Sequence, residues 1–279
     1  MCELFAVSSR EPVALCCSLD EFDRHGGGSA PHGDGWGLAR FVDRDVLLVK
    51  EARPACGSEL ARWVREHPMG SRLIVGHVRK ATQGAHTLEN SQPFVRERGG
   101  RMHVFAHNGH LERAALAGTW PADGAQPLGD TDSEAAFCAL LAGLPRAAPG
   151  QLPALTDRLA VLAACATRWR GYGPANFLYA DGELLFAHGH RRTQADGTIR
   201  PPGLWMLVLE AGAAGACPGL DAARSTGALP APPAAAGVIG PAVVLASVPL
   251  SDDARWQPLS EGEWVAVREG CIVGRSGTA

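Results

Sequence analysis

The sequence predicts an α+β layered domain built on antiparallel sheet, and three observations predict it. Short apolar runs alternate with tight polar turns along most of the chain, few segments carry helical periodicity, and those few are segregated between runs of strands. Strands that follow one another through hairpins must pair antiparallel, so the turns set the sheet class.

The first element is the apolar Leu4-Phe5-Ala6-Val7, a strand. Trp36–Val42 and Val46–Glu51 flank a polar Asp-Arg-Asp turn, and a short helix follows Ser58 through Leu60, Trp63 and Val64. Arg72–Val78 and Met102–Ala106 read as strands. After Thr131, with Glu134 three residues on as in a capping box, Phe137, Leu140, Leu141 and Leu144 recur at helical spacing until Pro145 stops the run. A second helix covers Leu155–Arg170, with Leu155, Leu159, Leu162, Ala166 and Trp169 on one face. Phe177–Ala180 then meets Glu183–Ala187 across Asp181-Gly182, a strong hairpin signal. Further strands are expected at Leu204–Glu210, Val243–Val248, Trp264–Arg268 and Cys271–Gly274, the last two joined through Glu269-Gly270. Trp36, Trp205 and Trp264 are expected in the sheet core, and Cys16-Cys17 in a helix. Residues 211–241 are rich in Ala, Gly and Pro and lack a period, which predicts a surface excursion. Strand-like sequence resumes after it, so it is expected inside a single domain over residues 2–279, with the tail completing a sheet begun earlier.

Composition narrows the function. The net charge is −3 and there is no run of Lys and Arg, so the electrostatic footprint of nucleic-acid binding is missing. The longest apolar stretch, Val238 to Leu250, is broken by Pro241 and Pro249 and falls short of the ~20 residues needed to span a bilayer. The start lacks a positive n-region and meets Glu11 and Asp20 early, so no secretory signal is read and a cytoplasmic location is expected. Eight cysteines form no Cys-x-x-Cys, which excludes a zinc ribbon or thioredoxin motif. His107-x-x-His110 and His188-x-His190 lack an acidic or cysteine partner at ligand spacing, so they are expected to make ordinary loop contacts, and neither a metal nor a cofactor is expected.

Cys2 carries the chemistry. Removal of Met1 leaves a residue holding a thiol and a free α-amine together, a nucleophile tethered to a base whose ordinary pKa, roughly 7.7–8.0, lies near working pH. Alone, a second-position cysteine is an ordinary residue. Three segments change that reading. Gly76-His-Val-Arg-Lys-Ala-Thr-Gln-Gly84 places Arg79 and Thr82 just past a strand, Phe105-Ala-His-Asn-Gly-His-Leu111 places Asn108-Gly109 after another, and Gly129-Asp-Thr-Asp-Ser-Glu-Ala135 opens a helix with Asp130 and Asp132. Singly these are a surface cation, a tight turn and first-turn acids that complement a helix dipole; together, in this order behind Cys2, they are specific.

With these segments the chain resembles the class II glutamine amidotransferases, which are N-terminal-nucleophile hydrolases, and more closely their stand-alone YafJ-like type. The resemblance runs from Met-Cys-Glu-Leu through Arg24-His-Gly-Gly-Gly28 and His32-Gly-Asp-Gly-Trp-Gly-Leu38 to Ala246-Ser-Val-Pro-Leu250, Trp256 and Gly262-Glu-Trp264. It implies a four-layer αββα sandwich of two antiparallel sheets. It also implies roles: Cys2 as nucleophile with its own amine as base, the Asn108 side chain and Gly109 N–H as oxyanion hole, Arg79 for the substrate α-carboxylate, Asp132 for the α-ammonium, and Thr82-Gln83 lining the glutamine pocket. A planar cation, an anion and donors aimed at an amide oxygen are what glutamine requires. Where some relatives have Arg-Gly before the residue aligned with Asp34, this chain has Pro31-His32-Gly33; Lys80 and Gln83 also depart from several relatives.

The expected reaction is hydrolysis of the glutamine side-chain amide through a Cys2 thioester. A domain of this kind takes up nearly all 279 residues, so any acceptor of the ammonia would have to be a separate synthase subunit. Two alternatives stand beside it: a stand-alone amidohydrolase of a γ-glutamyl compound, and a non-catalytic binding or regulatory protein that keeps the fold. A papain-like mechanism through Cys138 or Cys165 is disfavoured because both lie in expected helix interiors.

Overall fold

The computed structural model describes residues 2–15, 33–67, 69–80, 84–211, 220–222 and 240–276. Its first strand, β1 (Glu3–Leu15), alternates apolar side chains between two sides: Phe5, Val7 and Val13 point one way, Leu4 and Ala6 the other. A strand buried on both faces belongs in the middle of a sheet with a layer on each side. β1 has β4 (Ser71–Val78) on one flank and β13 (Ala242–Ala246) on the other, both antiparallel, with Glu3 opposite Val78 and Phe5 opposite Ala246. β2 (Trp36–Val42) and β3 (Asp45–Glu51) extend the sheet beyond β4, and β11 (Trp205–Leu209) and β14 (Gln257–Pro258) extend it beyond β13. The tail therefore completes the sheet that the first residues begin.

The second sheet orders β16 (Cys271–Arg275), β15 (Trp264–Arg268), β8 (Leu185–His188), β7 (Ala175–Ala180), β6 (Met102–Gly109) and β5 (Phe94–Glu97). Leu4, Ala6 and Val75 of the first sheet meet Val104, Ala106, Leu178 and Val265 of the second, forming the dry layer between them. The outer face of the second sheet carries Phe105 and Phe177, which pack on α3 (Asp132–Gly143) and α4 (Leu155–Trp169); Phe105 stacks on Phe137 at 5.3 Å between ring centroids and Trp169 meets Phe177 edge-on at 5.0 Å. The outer face of the first sheet receives Ala61 and Val64 of α1 (Glu59–Glu66). Helix, sheet, sheet, helix is the αββα order implied by the resemblance.

The caps follow the expected chemistry with one difference. Ser58 accepts from the Ala61 N–H at 3.0 Å and Thr131 from the Glu134 N–H at 3.3 Å. Glu134 does not return to the cap backbone as a capping box would have it. It accepts from the Gly129 N–H at 2.7 Å and pairs with Arg96, tying α3 to β5 and to the loop before the helix.

β6 departs from its expected end. It runs to Gly109, with Asn108 opposite Asn176 and Gly109 opposite Ala175, so the Asn-Gly pair lies in the strand and not after it. Its polar side chains read as a turn, yet they are tolerated in sheet because each has a partner there. Strands β5, β9 (Arg192–Thr193), β10 (Ile199–Arg200) and β14, and the single turn α2 (Arg113–Leu116), carry no sequence signal strong enough to be read. Within the 211–241 segment, β12 (Leu220–Ala222) pairs with Val13–Leu15 of β1, and the remainder, 212–219 and 223–239, lies outside the described residues, as do Cys16-Cys17, Arg24–Gly28 and His32. Among the described residues no helix is long and apolar enough to cross a membrane.

Candidate active site

Where β1 begins, β4 ends, since the two strands are antiparallel and Glu3 faces Val78. That register lays Cys2 beside Arg79 and Lys80. The Cys2 Sγ accepts from the Lys80 N–H and lies in hydrogen-bond reach of the Lys80 carbonyl, both at 3.3 Å. Burial pushes the Cys2 thiol up; the Lys80 N–H and the Arg79 guanidinium oppose this, and Asp132 adds to the rise. One thiol therefore feels Arg79 and Asp132 together, from segments far apart in the chain.

Arg79 is buried, and its guanidinium donates to the carbonyls of Ala85 at 3.1 Å and Gly84 at 3.3 Å. The loop that receives it is held by Asn90, whose amide donates to Ala85 O at 3.1 Å and to Asp130 Oδ1 at 2.7 Å while its oxygen accepts from the Asp130 N–H at 3.1 Å. Gly84 has φ +74°, and a Cβ there would lie 2.6 Å from Asp130 Oδ1, so only glycine lets the two loops approach. Asn90 thus joins the loop around Arg79 to the loop that leads into Asp132.

Asp132 opens α3 and is buried; its Oδ2 accepts from the Leu111 N–H at 2.6 Å. Asn108, fully buried on β6, donates to the Cys2 carbonyl and to Ser247 Oγ, the latter at 3.2 Å, while its Oδ1 has no partner among the described residues. Gly109 follows against the Pro174 carbonyl, with which any Cβ would collide. Asn176, opposite Asn108, donates to the Asn108 carbonyl at 2.9 Å and accepts from the His190 N–H at 2.7 Å, fixing the strand that carries the pair.

The structure therefore brings Cys2, Arg79, Asn108, Gly109 and Asp132 to one end of the sandwich. Thr82 and Gln83 lie outside the described residues. Asp34 sits at the rim, its N–H on the Arg79 carbonyl at 3.2 Å and its carboxylate 3.5 Å from His86 Nδ1. Sequence reasoning missed Asn90, Asn176 and Ser247. Ser247 stands in the quoted Ala246–Leu250 stretch, which was its only signal.

Two of the four histidines, His110 and His190, are the loop residues expected; the other two are not. His107 and His188 are buried strand residues: His107 bridges Ser133 Oγ at 2.9 Å and Pro174 O at 3.3 Å, and His188 donates from Nδ1 to Ala175 O at 2.7 Å. Burial holds His107 below the ordinary imidazole range against the pull of Asp132, and pushes His188 down to about 3. Of the tryptophans expected in the core, Trp36 is buried, while Trp205 and Trp264 are half-buried. Cys138 and Cys165 lie in α3 and α4 with thiols that burial raises to about 11, so both are protonated at neutral pH.

A family model described as glutamine amidotransferases class-II matches residues 1–210, three quarters of the chain. The chain belongs to the class II glutamine amidotransferases. YafJ of Escherichia coli (strain K12) is 32% identical over 270 residues, which cover 95% of this chain and 96% of that one. Among solved structures, a protein of Pseudomonas aeruginosa PA01 named as a predicted glutamine amidotransferase superposes with TM-score 0.65 at 29% identity, covering 98% of this chain and 99% of that one. The glutamine phosphoribosylpyrophosphate amidotransferase of B. subtilis shares the fold at TM-score 0.60 and 15% identity; the match takes 98% of this amidotransferase chain and 48% of that enzyme.

Proposed function

We propose that this amidotransferase hydrolyses the side-chain amide of glutamine, or of a γ-glutamyl compound, through a thioester on Cys2. The observation that supports it is the convergence on one residue, Cys2, of three separate segments: a buried guanidinium and a buried carboxylate that act on its thiol, and a buried amide donor on its carbonyl. Arg79 pairs with the substrate α-carboxylate and Asp132 with its α-ammonium, which aligns the side-chain carbonyl over the sulfur. With Met1 removed, the Cys2 α-amine takes the thiol proton. The thiolate attacks the amide carbon, and the oxyanion is met by the Asn108 amide and the Gly109 N–H. Collapse breaks the C–N bond, and the amine proton passes to the departing ammonia. Water then attacks the thioester, its proton goes to the amine, and glutamate leaves with the thiol restored. Thr82 and Gln83 are assigned to the wall of the same pocket.

The location of Cys2 makes one experiment decisive. Glutamate release is measured for the protein bearing a free Cys2 and for the same protein with a tag retained ahead of it. The free form is expected to turn over, and the tagged form to melt at the same temperature yet be inactive; full turnover of the tagged form refutes the mechanism. Running the assay on glutamine and a panel of γ-glutamyl amides separates the two substrate classes. Low turnover of glutamine that rises with an added synthase subunit assigns the protein an ammonia-accepting partner.

A further inference from the structure

Ser247 has no place in the roles described so far, and its contacts lie within the proposed site. It follows β13, is buried, and bonds twice to Leu4 of β1, once through its backbone and once through its side chain: its N–H donates to the Leu4 carbonyl and its Oγ accepts from the Leu4 N–H, both at 3.0 Å. The same Oγ accepts from the Asn108 amide at 3.2 Å. Its carbonyl accepts from the Arg192 guanidinium at 2.6 Å, and Arg192 lies 3.9 Å from Glu3. Ser247 is thereby held on three sides, and its hydroxyl is a fixed point against which the Asn108 amide rests.

The Asn108 amide nitrogen carries two N–H groups and has two acceptors in reach, the Ser247 hydroxyl and the Cys2 carbonyl. An oxyanion hole needs one of them. The Cys2 carbonyl belongs to the residue that bears the reacting sulfur, so the N–H on it is the one beside the incoming substrate; the N–H on Ser247 points to a residue fixed from behind. We propose that Ser247 is a positioning residue for the reaction, keeping the Asn108 amide plane aligned while its other N–H is handed from the Cys2 carbonyl to the substrate oxyanion. The inference rests on the proposed thioester mechanism and adds to it a residue that touches no substrate. No bond is made or broken by Ser247, and its hydroxyl stays an acceptor throughout.

The Ser247 Oγ also caps the Leu4 N–H, a loss that is read in the melting temperature; its catalytic effect, exerted through Asn108, must fall on the step in which Asn108 acts. Ser247→Ala is therefore expected to lower kcat for glutamate release on the order of tenfold, the value of one misaligned hydrogen bond, with KM within about twofold of the unchanged protein. The distinguishing measurement is the cycle with Asn108→Ala. Adding Ser247→Ala to that variant is expected to cost nothing further in kcat, because the group it aligns is gone. A kcat at the level of the unchanged protein in Ser247→Ala, or losses that multiply in the double variant, overturns the proposal. Melting temperatures are read alongside; should Ser247→Ala fail to fold, Ser247→Cys, which keeps a weaker acceptor of similar size, replaces it in the same cycle. Failure of the underlying mechanism has a different signature: a Cys2→Ala variant that releases glutamate as fast as the unchanged protein removes the site itself, whatever Ser247 does.

Discussion

The least forgiving residue of the proposed oxyanion hole is Gly109, whose surroundings leave no room for a side chain. A Cβ at that position collides with the Pro174 carbonyl oxygen and stands 2.7 Å from its carbon and 2.9 Å from His107 Nε2. All three contacts are below the separations that carbon tolerates, and two are to backbone, which cannot rotate away. β6 and β7 must part where Gly109 faces Ala175, and the His110 N–H bond to Pro174 O, 3.1 Å, lies in the same place. Overpacking of this kind costs about 1–3 kcal/mol in stability, a fall in melting temperature of roughly 2–4 °C per kcal/mol for a protein of this size. The same displacement moves the Gly109 N–H off the oxyanion, and loss of one such donor costs about 10²–10³ in kcat. Glutamate release under saturating glutamine, with a thermal melt on the same sample, measures both. Gly109→Ala with kcat within about twofold of the unchanged protein, folded or partly destabilised, refutes the placement of that N–H in the transition state.

Two further predictions follow from the site and its surroundings. Asp132→Asn keeps the shape of the side chain and its contact with the Leu111 N–H while removing the charge assigned to the substrate ammonium, so KM for glutamine is expected to rise on the order of 10–100-fold with a much smaller change in kcat; an unchanged KM in steady-state kinetics removes Asp132 from the substrate site. His188 gives a pH prediction whose sign is fixed by burial: its folded pKa is lowered to about 3 from an ordinary 6.5, so the unfolded chain takes up a proton first as the pH falls. The stability it contributes is complete above pH 6.5 and is lost progressively between there and about 3, up to a ceiling of about 5 kcal/mol. Urea midpoints between pH 7 and 4 are expected to fall more steeply for the unchanged protein than for His188→Gln, and parallel slopes would contradict the buried neutral imidazole.

Much of this architecture is local in origin and so could be read from the chain. α3 announces itself through Thr131 and Glu134, then through Phe137, Leu140 and Leu141, whose burial against Phe105 the structure bears out. The hairpin across Asp181-Gly182 behaves likewise, with Gly182 at φ +87°. What local pattern hides is any polar residue whose partner is distant. Leu4 bonds to Ser247 across 243 positions, and Asn90 bonds to Asp130 across 40, so neither serine nor asparagine shows its task in its neighbours. Arg158 sits on a helix face read as apolar, yet it is buried because Asp181 and Glu183 each meet it at 2.8 Å. The end of β6 was hidden for the same reason: His107, Asn108 and Gly109 look like a turn until Gln92, Asn176 and Pro174 are brought against them.

The central place of β1 between an early neighbour and a late one has a bearing on biosynthesis. β4 leaves the ribosome soon after β1, but β13 and the serine beyond it emerge only after α3, α4 and most of the second sheet have been made. A nascent or prematurely terminated chain therefore carries its sulfur on a sheet open along one flank, with the backbone groups of Leu4 still facing solvent and the asparagine opposite them unbraced. On the proposed mechanism the site is completed late, and the Cys2 thiol is expected to stay idle until synthesis has passed Ala246.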